Sequence, residues 1–185
     1  QTMENFGIQT GYDYLKKFGI SSLIEKQEDV EGKVIGDLSL SMAVGDMVDG
    51  VTNLDLTAAY AALANEGKSV SPIFYTKLVD RTGNILFKNE QKQSQILRKS
   101  TAWLMTNVLR EYVENGEGKA ADLKIEKLAA AGYGGSSASN KDQWFEGYTP
   151  YYTAGIWLGY DSMFTQMSGS ASKIMWRDIM EKVHK

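Results

Sequence analysis

Three β-patterned segments crowd between Ala129 and Asp161, and the shortness of the turns between them constrains this chain more than any other feature. The run A-A-A-G-Y-G-G-S-S-A-S-N-K-D-Q-W-F-E-G-Y-T-P-Y-Y-T-A-G-I-W-L-G-Y-D reads as strands near 127–133, 143–148 and 152–159. Parallel neighbours need a crossover of about a dozen residues or more, and these connections are shorter. The strands are therefore expected to form an antiparallel meander. Trp144 and Phe145, with the alternation around Ile156-Trp157-Leu158, predict one buried sheet face.

Helical signals flank this core. Thr10 to Phe18 reads as a short helix with Tyr14, Leu15 and Phe18 on one face and Gly19 as its stop. Residues 21–37 read as a polar loop. Thr52-Asn53-Leu54-Asp55 is a capping box that opens a helix through about Asn65, with Leu56, Ala59, Tyr60 and Leu63 as its apolar face. Ile73 to Asp80 and Ile85 to Phe87 flank an Arg81-Thr82-Gly83-Asn84 turn and read as a hairpin. Ser100 is expected to cap a helix from Thr101 to Glu114 whose apolar face is Leu104, Met105, Val108, Leu109 and Tyr112. Met175, Ile179, Met180 and Val183 mark a last helix after Ser172, packed on the sheet. Helices followed by antiparallel strands and a covering helix make an α+β pattern. The chain divides into a mainly helical region over 1–70, a hairpin and helix over 71–125, and strands with a closing helix over 126–185.

Composition excludes several chemistries. The chain has no cysteine, so disulfides, thiolate zinc sites and cysteine nucleophiles are absent together. A net charge of −3 gives no electrostatic footprint for nucleic acid. No apolar run reaches the roughly 18 residues of a membrane span. The chain opens on Gln1 with no methionine or leader pattern, which predicts a piece of a longer protein. The single histidine, His184, is next to the C-terminal residue. It is expected to be a solvated tail residue rather than part of a catalytic triad or metal site.

Several segments together carry motifs similar to those of one known family. Leu40-Ser41-Met42-Ala43-Val44-Gly45 and Asp49-Gly50-Val51-Thr52-Asn53-Leu54-Asp55 through Asn65-Glu66-Gly67 are similar to that family's S-x-A-x-G and G-V-T-P-L-E…A-N-x-G region. Ala102-Trp103-Leu104-Met105-Thr106 through Gly116-Glu117-Gly118-Lys119-Ala120-Ala121 resembles its A-Y-x-M-T…G-T-G-x-x-A helix and loop. Lys141-Asp142-Gln143-Trp144-Phe145-Glu146-Gly147-Tyr148-Thr149-Pro150, Trp157-Leu158-Gly159-Tyr160-Asp161 and Trp176-Arg177-Asp178-Ile179-Met180 resemble its K-D-x-W-F-x-G-Y-T-P, W-x-G-Y-D and W-x-D-x-M motifs. These segments together resemble class A penicillin-binding proteins, and the likeness covers nearly the whole chain in family order.

The resemblance implies part of the serine transpeptidase/β-lactamase-like fold and an acyl-transfer enzyme that crosslinks peptidoglycan. Its S-x-x-K, S-x-N and K-T-G motifs supply a nucleophile, proton movement, and a carboxylate-binding strand with part of the oxyanion hole. By family order the first two lie upstream of Gln1, so no catalytic residue is expected in this chain, which alone would be inactive. Tyr133-Gly134-Gly135-Ser136 stands where the K-T-G strand belongs. Tyr133 is neutral at pH 7 and cannot form an ion pair with a carboxylate. Gly134 has lost the hydroxyl, while Gly135 and the Ser136 backbone N–H keep the means to serve an oxyanion hole. Implied partners are stem peptides or β-lactams and the remainder of the transpeptidase domain. No cofactor or metal is implied. The implied location is extracytoplasmic, attached to the membrane through the part upstream. The alternative is a non-catalytic pseudoenzyme that serves as a scaffold in cell-wall assembly.

A literal S-x-x-K string occurs at Ser170-Ala171-Ser172-Lys173, but with 15 Ser and 16 Lys about one such match is expected by chance. Ser170 or Ser172 is expected to cap the last helix, and a serine hydrolase built on Ser170 and Lys173 ranks last. Trp144, Phe145, Trp157 and Trp176 are expected in the core, as are Met42, Met47, Met105, Met175 and Met180.

Overall fold

The computed structural model describes residues 1–115, 123–125, 128–137, 141–160 and 170–185. In chain order the elements are α1 (Thr2–Phe6), α2 (Ile8–Phe18), β1 (Gln27–Glu28), β2 (Val34–Ile35), a 3-10 turn (Leu40–Val44), α3 (Asn53–Ala64), β3 (Lys68–Val70), β4 (Lys77–Val79), β5 (Ile85–Lys88), β6 (Gln93–Gln95), α4 (Lys99–Asn115), β7 (Ala131–Ser136), β8 (Asp142–Tyr148), β9 (Thr153–Gly159) and α5 (Ala171–Val183). The fold is α+β, and its central sheet has the strand order β7-β8-β9, antiparallel throughout.

The meander forms as the turn lengths require. Its first strand lies later than the pattern indicates, at Ala131–Ser136 rather than 127–133, with an isolated bridge between Ile125 and Leu128 ahead of it. Residue 127, part of the expected strand, lies outside the described residues, as does all of the expected 116–121 loop.

Each face of the sheet is covered. On one face Phe145 meets Trp176 of α5 with ring centroids 5.0 Å apart, and both are fully buried among Val113, Leu123, Ile125, Ala130 and Met180. Gly147 is required here, since a Cβ would lie 2.6 Å from Trp176 Cζ2. Trp176 Nε1 donates to the Ala154 carbonyl at 2.9 Å, which satisfies the buried indole. On the other face Leu109 of α4, Ala131 and Tyr148 form a second cluster with Tyr60 and Leu63 of α3.

The helices confirm some signals and correct others. Thr52 Oγ1 accepts from the Asp55 N–H at 3.0 Å, the first half of the capping box. The Asp55 carboxylate instead accepts from Ser21, holding the preceding loop to α3. In α2 the buried residue is Tyr12, with Gly19 a left-handed stop, whereas Tyr14 is exposed. Helix α4 begins at Lys99, so Ser100 lies within it instead of capping it. It buries Ala102, Leu109 and Val113, while Leu104, Met105 and Val108 are exposed. Helix α5 likewise buries Trp176 and Met180 and exposes Met175, Ile179 and Val183. Its N-cap position is Ser170, with no side-chain cap bond, and Ser172 is buried inside the helix. Both long helices therefore carry a second apolar stripe that nothing in the described chain covers. Met105 and Met175 belong to those stripes rather than to the core, and Trp157 is half exposed on β9.

Residues 21–37 are not wholly loop, because β1 and β2 pair there. The buried Asp37 organises the region by accepting from the N–H groups of Ile24 and Val48, both at 2.7 Å. The expected hairpin is β4–β5, with Asp80 accepting from Thr82 and Asn84 across its turn. A second pairing, β3 with β6, has no counterpart in the sequence pattern.

His184 is held, contrary to its expected place in a solvated tail. Its Nδ1–H donates to the Met180 carbonyl at 2.7 Å, and its Nε2 shares a hydrogen bond with the Thr149 hydroxyl at 3.0 Å. Tyr151 and Tyr152 flank the ring. This knot ties the end of α5 to the β8–β9 turn, at the opposite end of the sheet from Ser136.

Candidate functional site

The hydrogen-bond phase of β7 decides what this strand can present. The Ser137 N–H donates to the Asp142 carbonyl at 3.0 Å. Bonded pairs alternate along an antiparallel ladder, so Gly135 and Tyr133 also direct their backbone groups at β8. Gly132, Gly134 and Ser136 turn theirs outward. No further strand pairs with β7 among the described residues; Leu109 of α4 packs on Ala131 at its start, and Gly135 and Ser136 at its end are exposed. The Ser136 N–H is thus available at the edge, while that of Gly135 belongs to the ladder.

The side chains alternate between faces. Tyr133 is opposite Glu146, on the face covered by α3 and α4. Its ring is half exposed and packs on Tyr112 of α4 with centroids 4.7 Å apart. Gly134 is opposite Phe145, on the α5 face, and Ser136 follows on that same face. A Cβ on Gly134 would lie 2.8 Å from Lys173 Cε. The Lys173 ammonium donates to Tyr112 Oη at 2.9 Å. Among the described residues no carboxylate pairs with it. Helix α4 therefore places Tyr112 across the strand margin, touching Tyr133 on one side and Lys173 on the other.

Behind Tyr133 lies Glu146, 2% exposed. Its Oε2 accepts from Thr57 Oγ1 at 3.2 Å and its Oε1 has no partner among the described residues. Burial pushes this carboxyl from 4.5 up to about 8, against the opposing effect of the Thr57 bond. Nearby Tyr60 is raised to about 12, by burial first and then by Glu146. Tyr148 is raised by burial and bonds Thr106 through its hydroxyl at 2.8 Å.

The four strand residues singled out in the sequence thus lie on one edge strand. Sequence reasoning missed Tyr112 and Glu146, and it had Lys173 only in the accidental S-x-x-K string. The one available signal was Gly134 itself, since glycine inside a strand marks a close approach. Two shallow concavities, about 480 Å³ along the outer side of α5 and about 380 Å³ between α3 and α4, are lined by residues outside β7. No group of three or more His, Cys, Asp or Glu among the described residues is placed to hold a metal. No described helix is long and apolar enough to cross a membrane.

Known proteins resemble the chain over nearly its full extent. Residues 1–181 match the family described as the penicillin binding protein transpeptidase domain. Penicillin-binding protein 1A of Clostridium tetani is 32% identical over 97% of this chain and 23% of its own length. Penicillin-binding protein 1F of Bacillus subtilis is 31% identical over 86% and 21%. The chain thus spans about a fifth to a quarter of these curated relatives. Among solved structures, penicillin-binding protein 1A from Haemophilus influenzae superposes with a TM-score of 0.74 at 18% identity, covering 98% of this chain and 31% of that one. An imipenem acyl-enzyme complex of penicillin-binding protein A from M. tuberculosis gives a TM-score of 0.69 at 16% identity, covering 98% and 44%. These likenesses establish the serine acyltransferase fold of the transpeptidase domains.

Proposed function

The chain belongs to the penicillin-binding protein transpeptidase family, and from that premise we propose that it is the C-terminal part of a serine D,D-transpeptidase domain whose nucleophile lies upstream of Gln1. The whole domain would crosslink peptidoglycan stem peptides outside the cytoplasmic membrane, anchored through its upstream part, and would be acylated by β-lactams. Residues 133–136 would line the substrate channel, with the Ser136 N–H as an oxyanion donor.

One observation carries this reading: the described chain is built to be covered. Trp103, Leu104, Met105 and Val108 form an exposed apolar stripe on α4, and Ile174, Met175, Ile179 and Val183 form another on α5. Exposed apolar surface of this kind marks an interaction site. Among the described residues no further strand pairs with the outer edge of β9, where Asn53 Nδ2 donates to the Gly155 carbonyl at 3.2 Å. A further strand and helices fit these surfaces.

The test is hydrogen exchange on the chain alone and with the separately produced upstream segment. Protection of β9 and of both apolar stripes on mixing is the expected result. A chain whose stripes and β9 edge are already protected when alone, and which does not bind that segment, would refute the reading.

The second reading, a pseudoenzyme scaffold, draws on Tyr133 and Gly134, which remove a charge and a hydroxyl from the strand. Acylation of the longer polypeptide separates the two.

A further inference from the structure

We propose that Lys173, reaching from the start of α5 into the space over Gly134, is the cation that anchors a peptide's terminal carboxylate at the outer edge of β7. This rests on the transpeptidase reading above and names the group that holds the substrate's end.

The space over Gly134 is already filled by Lys173. A β-carbon at position 134 would lie 2.8 Å from Lys173 Cε, 3.1 Å from the Trp144 carbonyl oxygen and 3.2 Å from Phe145 Cδ2. A side chain at 134 and Lys173 in its present place exclude one another. Glycine here is the condition for bringing an ammonium to the strand, so the loss of a hydroxyl at 134 is matched by a charge arriving from another element.

The ammonium is poised for an anion. It is partly buried, and its one hydrogen-bond partner among the described residues is the neutral Tyr112 phenol. A second contact is electrostatic, with the Tyr112 ring centroid 5.5 Å away. Two N–H donors remain on the lysine. Ser136 lies on the same strand face, about 7 Å further along. The outward backbone groups of Gly134 and Ser136 offer ladder bonds to an extended peptide, which would add to the sheet edge. A peptide so placed brings its C-terminal carboxylate to Lys173 and Ser136, with the Tyr112 and Tyr133 rings forming the opposite wall.

The substitutions at 133 and 134 therefore relocate the charge rather than abandon it. This reverses the expectation for a familiar repair. Gly134→Thr restores the residue type of the K-T-G strand, yet it must push Lys173 aside. Because the displaced atom is near the end of a flexible side chain, the variant should fold.

The test uses the 185-residue chain and an N-acetylated D,D-dipeptide, either with a free carboxylate or as its C-terminal amide, titrated by amide NMR. The carboxylate form should shift Gly134, Ser136 and Lys173, and the amide form should bind about tenfold more weakly or worse. Lys173→Met should abolish that preference, and Gly134→Thr should do the same with an unchanged circular dichroism spectrum. A Lys173→Met chain that still prefers the carboxylate, a Gly134→Thr chain that binds more tightly, or a wild-type chain that binds neither form would overturn the proposal. If the upstream segment fails to dock while the Lys173-dependent preference is present, the transpeptidase reading falls and the anchor stands. If that segment docks and the preference survives Lys173→Met, the anchor alone falls.

Discussion

Replacing Glu146 with glutamine should stabilise this protein at alkaline pH, although it removes a residue at the centre of the sheet. Glu146 is 2% exposed with one carboxylate oxygen unpartnered among the described residues, and its carboxyl is raised from 4.5 to about 8. A raised acid pKa means that the folded state holds the proton more tightly than the unfolded state. Stability from this group is thus full below pH 4.5, falls as pH rises from there toward 8, and is flat above. At about 1.4 kcal/mol per pH unit, the wild-type chain should lose about 4 kcal/mol between pH 5 and pH 8. Glutamine is nearly isosteric with the neutral acid, keeps an acceptor for Thr57 and never ionises. The variant should match wild type near pH 5 and exceed it by up to about 4 kcal/mol at pH 8. Urea unfolding followed by tryptophan fluorescence at each pH gives the difference directly, because every other titrating group is common to both chains. Parallel pH profiles for the two proteins, or a glutamine variant weaker than wild type at pH 8, would refute the reasoning.

Other substitutions test the packing. Trp176→Ala removes the fully buried indole between α5 and Phe145 and should cost about 3–5 kcal/mol in urea unfolding. His184→Ala breaks the links to Thr149 and Met180 and should cost about 1–2 kcal/mol, with hydrogen exchange rising at the β8–β9 turn and the end of α5. Gly155→Ala would drive a methyl group into Thr57 Oγ1 and the Glu146 carboxylate. It should destabilise the chain by about 1–3 kcal/mol and weaken the contact between α3 and β9.

What the sequence made legible follows from which forces are local. The meander depends on turn length and alternation, and the α3 cap on residues three apart, so both could be read directly. The buried faces of α4 and α5 could not. Each helix has apolar residues on two sides, and periodicity cannot say which side meets a neighbour in the same chain. Leu104 and Val108 fall on the apolar face by spacing, but Ala102 and Val113 are the buried residues, and Val113 joins the cluster of Phe145. Glu146 defeats alternation in another way, since a carboxylate between Phe145 and Gly147 reads as a solvent-facing position. Its burial becomes visible only when α3 is laid over the sheet. The approach of Lys173 to Gly134 joins residues far apart in the chain, and a lone strand glycine was its only trace.

The transpeptidase proposal places the nucleophile of the acyl-transfer site outside this chain. Peptide mapping after β-lactam treatment tests it most directly, applied to the longer polypeptide and to the 185-residue chain in parallel. One stable adduct is expected in the longer polypeptide, on a serine upstream of Gln1, with no mass increase on the chain alone. An adduct on Ser136, Ser170 or any other serine of this chain, or none anywhere in the longer polypeptide, would contradict it.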